Sequence, residues 1–70
     1  MVSIRAVRAS SGNPIPSCKV NVWAGGDCVR YTNEQGVAVF DTISPGTYTV
    51  YVDGVEKKDV ALIAEVVLYI

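Results

Sequence analysis

The chain has no histidine and only two cysteines among its 70 residues. Lack of histidine removes the commonest general base, the commonest metal ligand and every Ser-His or Cys-His nucleophile pair. Cys18 and Cys28 are ten positions apart. They form neither a CxxC redox motif nor half of a zinc site, because no His or further Cys could complete the coordination. Net charge is small as well. Six basic residues face seven acidic ones for a net charge of −1, so there is no basic field to hold a phosphate backbone, which argues against nucleic acid as a partner. Asp27, Glu34 and Asp53 fall in separate turns, where carboxylates ordinarily cap backbone amides, so neither an acid/base pair nor a calcium cluster is expected. No apolar run approaches the ~20 residues of a membrane-spanning helix. The greasiest stretch, 61–70, is interrupted by Glu65. Residues 1–5 lack the charged start and apolar run of a signal peptide. The expectation is a non-catalytic chain with no cofactor, no metal and no membrane span.

What is present favours strands. Half of the residues are hydrophobic and 19% are charged, too apolar for intrinsic disorder, and the length suits one small domain of thin stability. Pro14, Pro16 and Pro45, with glycines at 12, 25, 26, 36, 46 and 54, cut the chain into segments of strand length. The expected strands are β1 over residues 2–9, β2 over 18–24, β3 over 27–32, β4 over 37–41, β5 over 47–52, β6 over 55–59 and β7 over 62–70. The last stretch is rich in β-branched and aromatic residues, which favours strand over helix, with 61–65 the place where a helix competes best. Gly25-Gly26 reads as a two-residue hairpin turn. That register pairs Trp23 with Cys28, puts the two cysteines on opposite faces several pairs apart, and predicts free thiols, Cys18 buried and Cys28 exposed.

Four segments resemble a known group: Gly12-Asn13-Pro14-Ile15-Pro16, Val20-Asn21-Val22, Thr32-Asn33-Glu34-Gln35-Gly36 followed by Phe40, and Ile43-Ser44-Pro45-Gly46-Thr47-Tyr48-Thr49-Val50. Together they are similar to the carboxypeptidase regulatory-like and Cna protein B-type modules of the transthyretin-like (prealbumin-like) β-sandwiches, over about residues 2–54. The resemblance implies an all-β, seven-stranded Greek-key β-sandwich with sheets ordered β3-β2-β5-β6 and β4-β1-β7. Members of the group are mostly extracytoplasmic, which leans toward a secreted, cell-surface or virion setting, whereas free thiols fit a cytoplasmic assembly as well, so the compartment stays open. The chemistry known in that group does not carry over. The Lys–Asn isopeptide bond of some Cna-type members needs a Lys on the first strand and an Asn on the last; this chain offers Arg5 and Arg8, and no Asn beyond Asn33. The transthyretin-like hydrolases use His residues and a terminal Tyr-Arg-Gly-Ser, and neither is present.

With that sheet order, alternation sends Ile4, Ala6, Val20, Val22, Val29, Tyr31, Ala38, Phe40, Tyr48, Val50, Val66 and Leu68 inward. Phe40, Tyr48 and Val50 should meet in the middle. The outer face of β4-β1-β7 would then carry Val7, Val37, Val39, Val67 and Tyr69, an apolar surface of the kind that forms an interface. A bulge in β1 or β7 would swap the faces. This surface is the expected protein interface, to a second copy or a neighbouring domain, in a structural or interaction module of a larger surface, secreted or phage-type assembly. The alternative is a carbohydrate-binding platform on the other sheet, built from Trp23, Tyr51, Arg30 and Asn21 with Thr49.

Overall fold

A computed structural model describes residues 2–70; Met1, the first residue of the segment read for an export signal, lies outside the described residues. Those residues form an all-β structure: β1 (Val2–Val7), β2 (Lys19–Trp23), β3 (Asp27–Tyr31), β4 (Val37–Phe40), β5 (Gly46–Val52), β6 (Val55–Leu62) and β7 (Glu65–Tyr69). Among the described residues there is no helix, and so none long and apolar enough to cross a membrane. The strands make two sheets, ordered β4-β1-β7 and β3-β2-β5-β6. In the first, β1 is central, antiparallel to β4 and parallel to β7. The second is antiparallel throughout.

Alternation builds the core. Val2, Ile4 and Ala6 of β1, Val20 and Val22 of β2, Ala38 and Phe40 of β4, and Val50 and Val52 of β5 are buried on the facing sides of the two sheets, joined by Cys18, Ile43 and Leu62. These two-residue periods place one apolar row per strand between the layers. Tyr48 packs against this core while its hydroxyl donates to the Ser44 carbonyl at 2.6 Å. The phenol thereby ties the Ser44-Pro45-Gly46 turn to β5, and its ring lies 3.4 Å from where a Gly46 Cβ would sit. Asn33 organises the turn into β4. Its Oδ1 accepts from the amides of Gln35 at 2.9 Å and Val37 at 3.1 Å, and its own amide donates to the Val37 carbonyl at 2.9 Å. Thr32 is the one buried polar residue among those described.

Three expectations are corrected. The β2–β3 hairpin pairs Trp23 with Asp27 and Val22 with Cys28, so its loop is Ala24-Gly25-Gly26, one residue longer than the two-residue turn. Gly25 supplies the positive φ, +79°. A one-residue change of register flips a strand's faces. Cys28 and Arg30 therefore share the inner side with Val22 and Val20, while Val29 and Tyr31 turn outward with Asn21 and Lys19. The thiols are free, with Cys18 buried, as expected, but Cys28 is half-buried against the core rather than exposed beside Trp23. The sulfurs stay apart through distance along the strands: the Cys18 carbonyl accepts from the Thr32 amide, four residue pairs from Val22↔Cys28, or about 14 Å at strand rise.

The second correction concerns β6, which passes through Asp59 to Leu62 instead of stopping there. Its register against β5 shifts between Tyr48 and Val50, and Asp59 takes a φ of +55°. An Asp tolerates this left-handed conformation better than most residues. The bulge absorbs it, and pairing resumes at Val60. The third correction follows from the second. Leu62 is fully buried at the end of β6 and Ile63 is 71% exposed, so 63–64 is a bend and β7 begins at Glu65 rather than at residue 62; the preference for strand over helix in 61–65 stands.

Candidate interaction surfaces

The outer side of β4-β1-β7 is set by two register rows. Arg5 of β1 lies between Val37 of β4 and Val67 of β7; Ser3 lies between Val39 and Glu65. Val39 and Val67 are exposed and Val37 is half-buried. Tyr69, 57% exposed, is the β7 partner of Val7. Neither β1 nor β7 carries a bulge, so the expected parity holds and four of the five expected residues stand at this surface. The fifth, Val7, is corrected. It is only 7% exposed, because the chain returns from the 8–13 turn and bridges it at Pro14, with the Arg8 amide donating to the Asn13 carbonyl at 2.9 Å. Proline there covers Val7 on one side while Tyr69 flanks it on the other.

Arg5 was not among the expected surface residues. It occupies the centre of the sheet's outer side, half-buried, with its Nε enclosed and lacking a hydrogen-bond partner. The aliphatic stem of such a residue covers apolar neighbours while the charge reaches water. Its position was available from alternation, since Ser3, Arg5 and Val7 share a parity. The face thus carries Val37, Val39, Val67 and Tyr69 around the cationic Arg5, with Ser3 and Glu65 as its other polar members.

The other outer surface, on β3-β2-β5-β6, brings together three of its four expected residues. Trp23 is 53% exposed and pairs across to Thr49 of β5 and Asp27 of β3; Asn21 pairs across to Tyr51 and Val29. Asn21 is committed to the hairpin. Its Nδ2 donates to Asp27 Oδ1 and its Oδ1 accepts from the Cys28 amide, both at 3.1 Å. Tyr51 donates to Glu56 Oε2 at 3.2 Å, and that hydrogen bond to the carboxylate, then its charge, hold the phenol above its ordinary pKa.

Arg30 is corrected. The register puts it on the inner side of β3, where its guanidinium carbon stands 6.0 Å from the centroid of the Phe40 ring. Nη1 donates to the Val29 carbonyl at 2.8 Å and Nη2 reaches Asp41 at 4.0 Å. Arg30 closes the open side of the sandwich between β3 and β4. Tyr31, 65% exposed and beside Lys19, takes the place on the outer surface that alternation had given to Arg30. The missed signal was the pairing of Asn21 with Asp27, two polar residues whose side chains meet only in the longer-loop register.

Among the described residues there is no cavity and no group of three or more His, Cys, Asp or Glu placed to hold a metal ion. Cys18 is held above its ordinary thiol pKa mainly by burial, then by the charge of Asp53, with Arg8 opposing. Compared with family models, with curated proteins and with solved structures, the chain finds no match.

Proposed function

We propose that this chain is a non-catalytic protein-interaction module that docks through the outer side of β4-β1-β7, as one unit of a larger surface, secreted or phage-type assembly. The observation that carries this reading is the exposure of Val39, Val67 and Tyr69 on one continuous sheet, around Arg5 and Val37 and outside a core that is complete without them. Apolar side chains gathered on one exposed sheet face are the usual mark of a docking surface. The transthyretin-like, carboxypeptidase regulatory-like or Cna B-type relationship rests on the sequence motifs described above and accords with this role.

A second reading has its own support. Trp23, Tyr31 and Tyr51 project from one side of the four-stranded sheet over a length of about 14 Å along β2, spaced aromatics of the kind on which sugar rings stack. Nuclear magnetic resonance of the labelled chain separates the two. Under the first reading, raising the chain concentration or adding a neighbouring domain shifts amide signals of β4, β1 and β7. Spectra unchanged in both series, together with quenching of Trp23 fluorescence by a polysaccharide, would move the function to the other sheet.

A further inference from the structure

A sandwich of two open sheets leaves four strand edges, and an edge is a template for another strand unless something blunts it. Three of the four carry a cap, a bulge or a run of charges. On β3 the Val29 carbonyl is taken by Arg30 Nη1 at 2.8 Å. On β4 the amide and the carbonyl of Val37 are both taken by Asn33. On β6 the Glu56-Lys57-Lys58-Asp59 run and the bulge at Asp59 break the edge. β7 has neither cap nor bulge, and Glu65 is its single charged residue.

The hydrogen bonds beside β7 fix which of its backbone groups face outward. Ser3 donates to the Ala64 carbonyl at 3.1 Å, Ile70 donates to Val7 at 2.9 Å, and Ala9 donates to Ile70 at 2.8 Å. In a parallel ladder the residues that bond the neighbour alternate, so Ala64, Val66, Leu68 and Ile70 point their amides and carbonyls at β1. Those of Glu65, Val67 and Tyr69 point away from it, along the open edge.

We propose that this edge pairs with the β7 edge of a second copy of this chain, antiparallel about a two-fold axis at Val67, so that two three-stranded sheets become one continuous sheet. The inference rests on the reading of this sheet as the interaction surface and names its partner. Centring on Val67 sets Val67 opposite its own copy and Glu65 opposite Tyr69 of the other. Every outward amide and carbonyl of the three residues then finds a partner, whereas a shift by one residue to either side leaves a terminal one unpaired. The same register keeps the two Glu65 carboxylates apart and brings each within reach of a Tyr69 phenol, a donor for an acceptor. The half-buried Val66 and Leu68 on the inner side gain apolar cover from their counterparts.

The test uses backbone chemistry. Proline is accepted on an edge strand where its missing amide would face solvent, so Val67→Pro removes an outward donor without removing a bond to β1, and Val67→Thr keeps it. Sedimentation velocity over an about hundred-fold concentration range should show reversible dimerisation of the wild type and of Val67→Thr. For Val67→Pro, association should weaken by about ten-fold or more, with near-ultraviolet circular dichroism and thermal transition confirming the native fold. A wild type that stays monomeric across the range overturns the proposal. So does a folded Val67→Pro that dimerises like the wild type. In that second case Val39→Glu decides the broader reading: if it abolishes association, the face docks without edge pairing, and if it too has no effect, this sheet is not the interface.

Discussion

Gly36 and Ala6 are locked together across the β1–β4 entry: the Ala6 amide donates to the Gly36 carbonyl at 2.8 Å, and a Cβ on Gly36 would lie 2.8 Å from the Ala6 carbonyl oxygen. The same Cβ would meet the Pro14 side chain at 2.9 Å, at a φ of +77°. Backbone strain and steric overlap therefore coincide. Gly36→Ala is expected to cost about 3 kcal/mol or more, a large share of the stability of so small a domain. Gly54 has a similar φ, +81°, with nothing near its missing Cβ, so Gly54→Ala should cost only about 1 kcal/mol. Chemical denaturation of the two variants compares them directly; equal losses would show that the close approach to β1 is unimportant.

Thr32 makes the second testable junction. Its Oγ1 accepts from the Cys18 amide at 2.8 Å and donates to the Ile15 carbonyl at 2.6 Å, while its backbone exchanges bonds with Cys18 and Ser17. One hydroxyl thus anchors the irregular 15–18 segment, including Ser17 at a φ of +53°, to the end of β3. Thr32→Val keeps the shape and strands a buried donor and an acceptor, which should cost about 2 kcal/mol or more. Thr32→Ser keeps the hydroxyl and loses a methyl, about 1 kcal/mol. If urea midpoints put serine below valine, packing and not hydrogen bonding holds this junction.

Strand positions and most faces were legible because every turn except the bend at 63–64 contains Gly, Pro or Asn, and because β1, β4 and β7 alternate in register. The facing errors on β3 share one cause, separate from the bulge at Asp59 and the bend at 63–64. A Gly-Gly pair permits loops of two or three residues, and the difference is settled by side chains that a periodicity count ignores: Asn21 holding Asp27 and the Cys28 amide, and Arg30 reaching over Phe40 toward Asp41. An inward arginine looks wrong in an alternation pattern. On an edge strand it is acceptable, since the stem covers the core and the guanidinium escapes sideways to water and to a carbonyl. The apolar outer face survived this error because it belongs to the other sheet, and Val7 left it because Pro14 bridges to it.

The two thiols should differ in reactivity. Thiolate is the nucleophile, and Cys18 is buried with its pKa pushed up by that burial and by Asp53, so alkylation of the native chain should begin at Cys28. Mass spectrometry of peptides after limited iodoacetamide treatment reads the order. Unfolding should abolish the difference. Preferential labelling of Cys18 would mean that the 15–18 segment opens more readily than the Thr32 anchor implies.

The Tyr51–Glu56 pair gives a pH dependence with a definite sign. Hydrogen bonding to the carboxylate favours the neutral phenol, and the nearby negative charge disfavours phenolate, so Tyr51 titrates higher when folded than the tyrosine value of about 10 in an unfolded chain. A group whose folded pKa is raised stabilises the native state fully below its unfolded pKa and loses that contribution as pH rises through the folded value. The loss therefore falls in the alkaline range, above about 10, and is absent near neutrality. Glu56→Gln removes the charge and should lower the Tyr51 titration toward the ordinary value, followed by the ultraviolet absorbance of phenolate, with Tyr51→Phe identifying which tyrosine is responsible. Because the pair lies on the exposed side of β5 and β6, salt should shrink the charge part of the shift while leaving the hydrogen-bond part. A Tyr51 curve that does not move in Glu56→Gln would mean that the 3.2 Å contact is not maintained in solution, and with it would go the fixed orientation of the phenol that a sugar-stacking surface on this sheet requires.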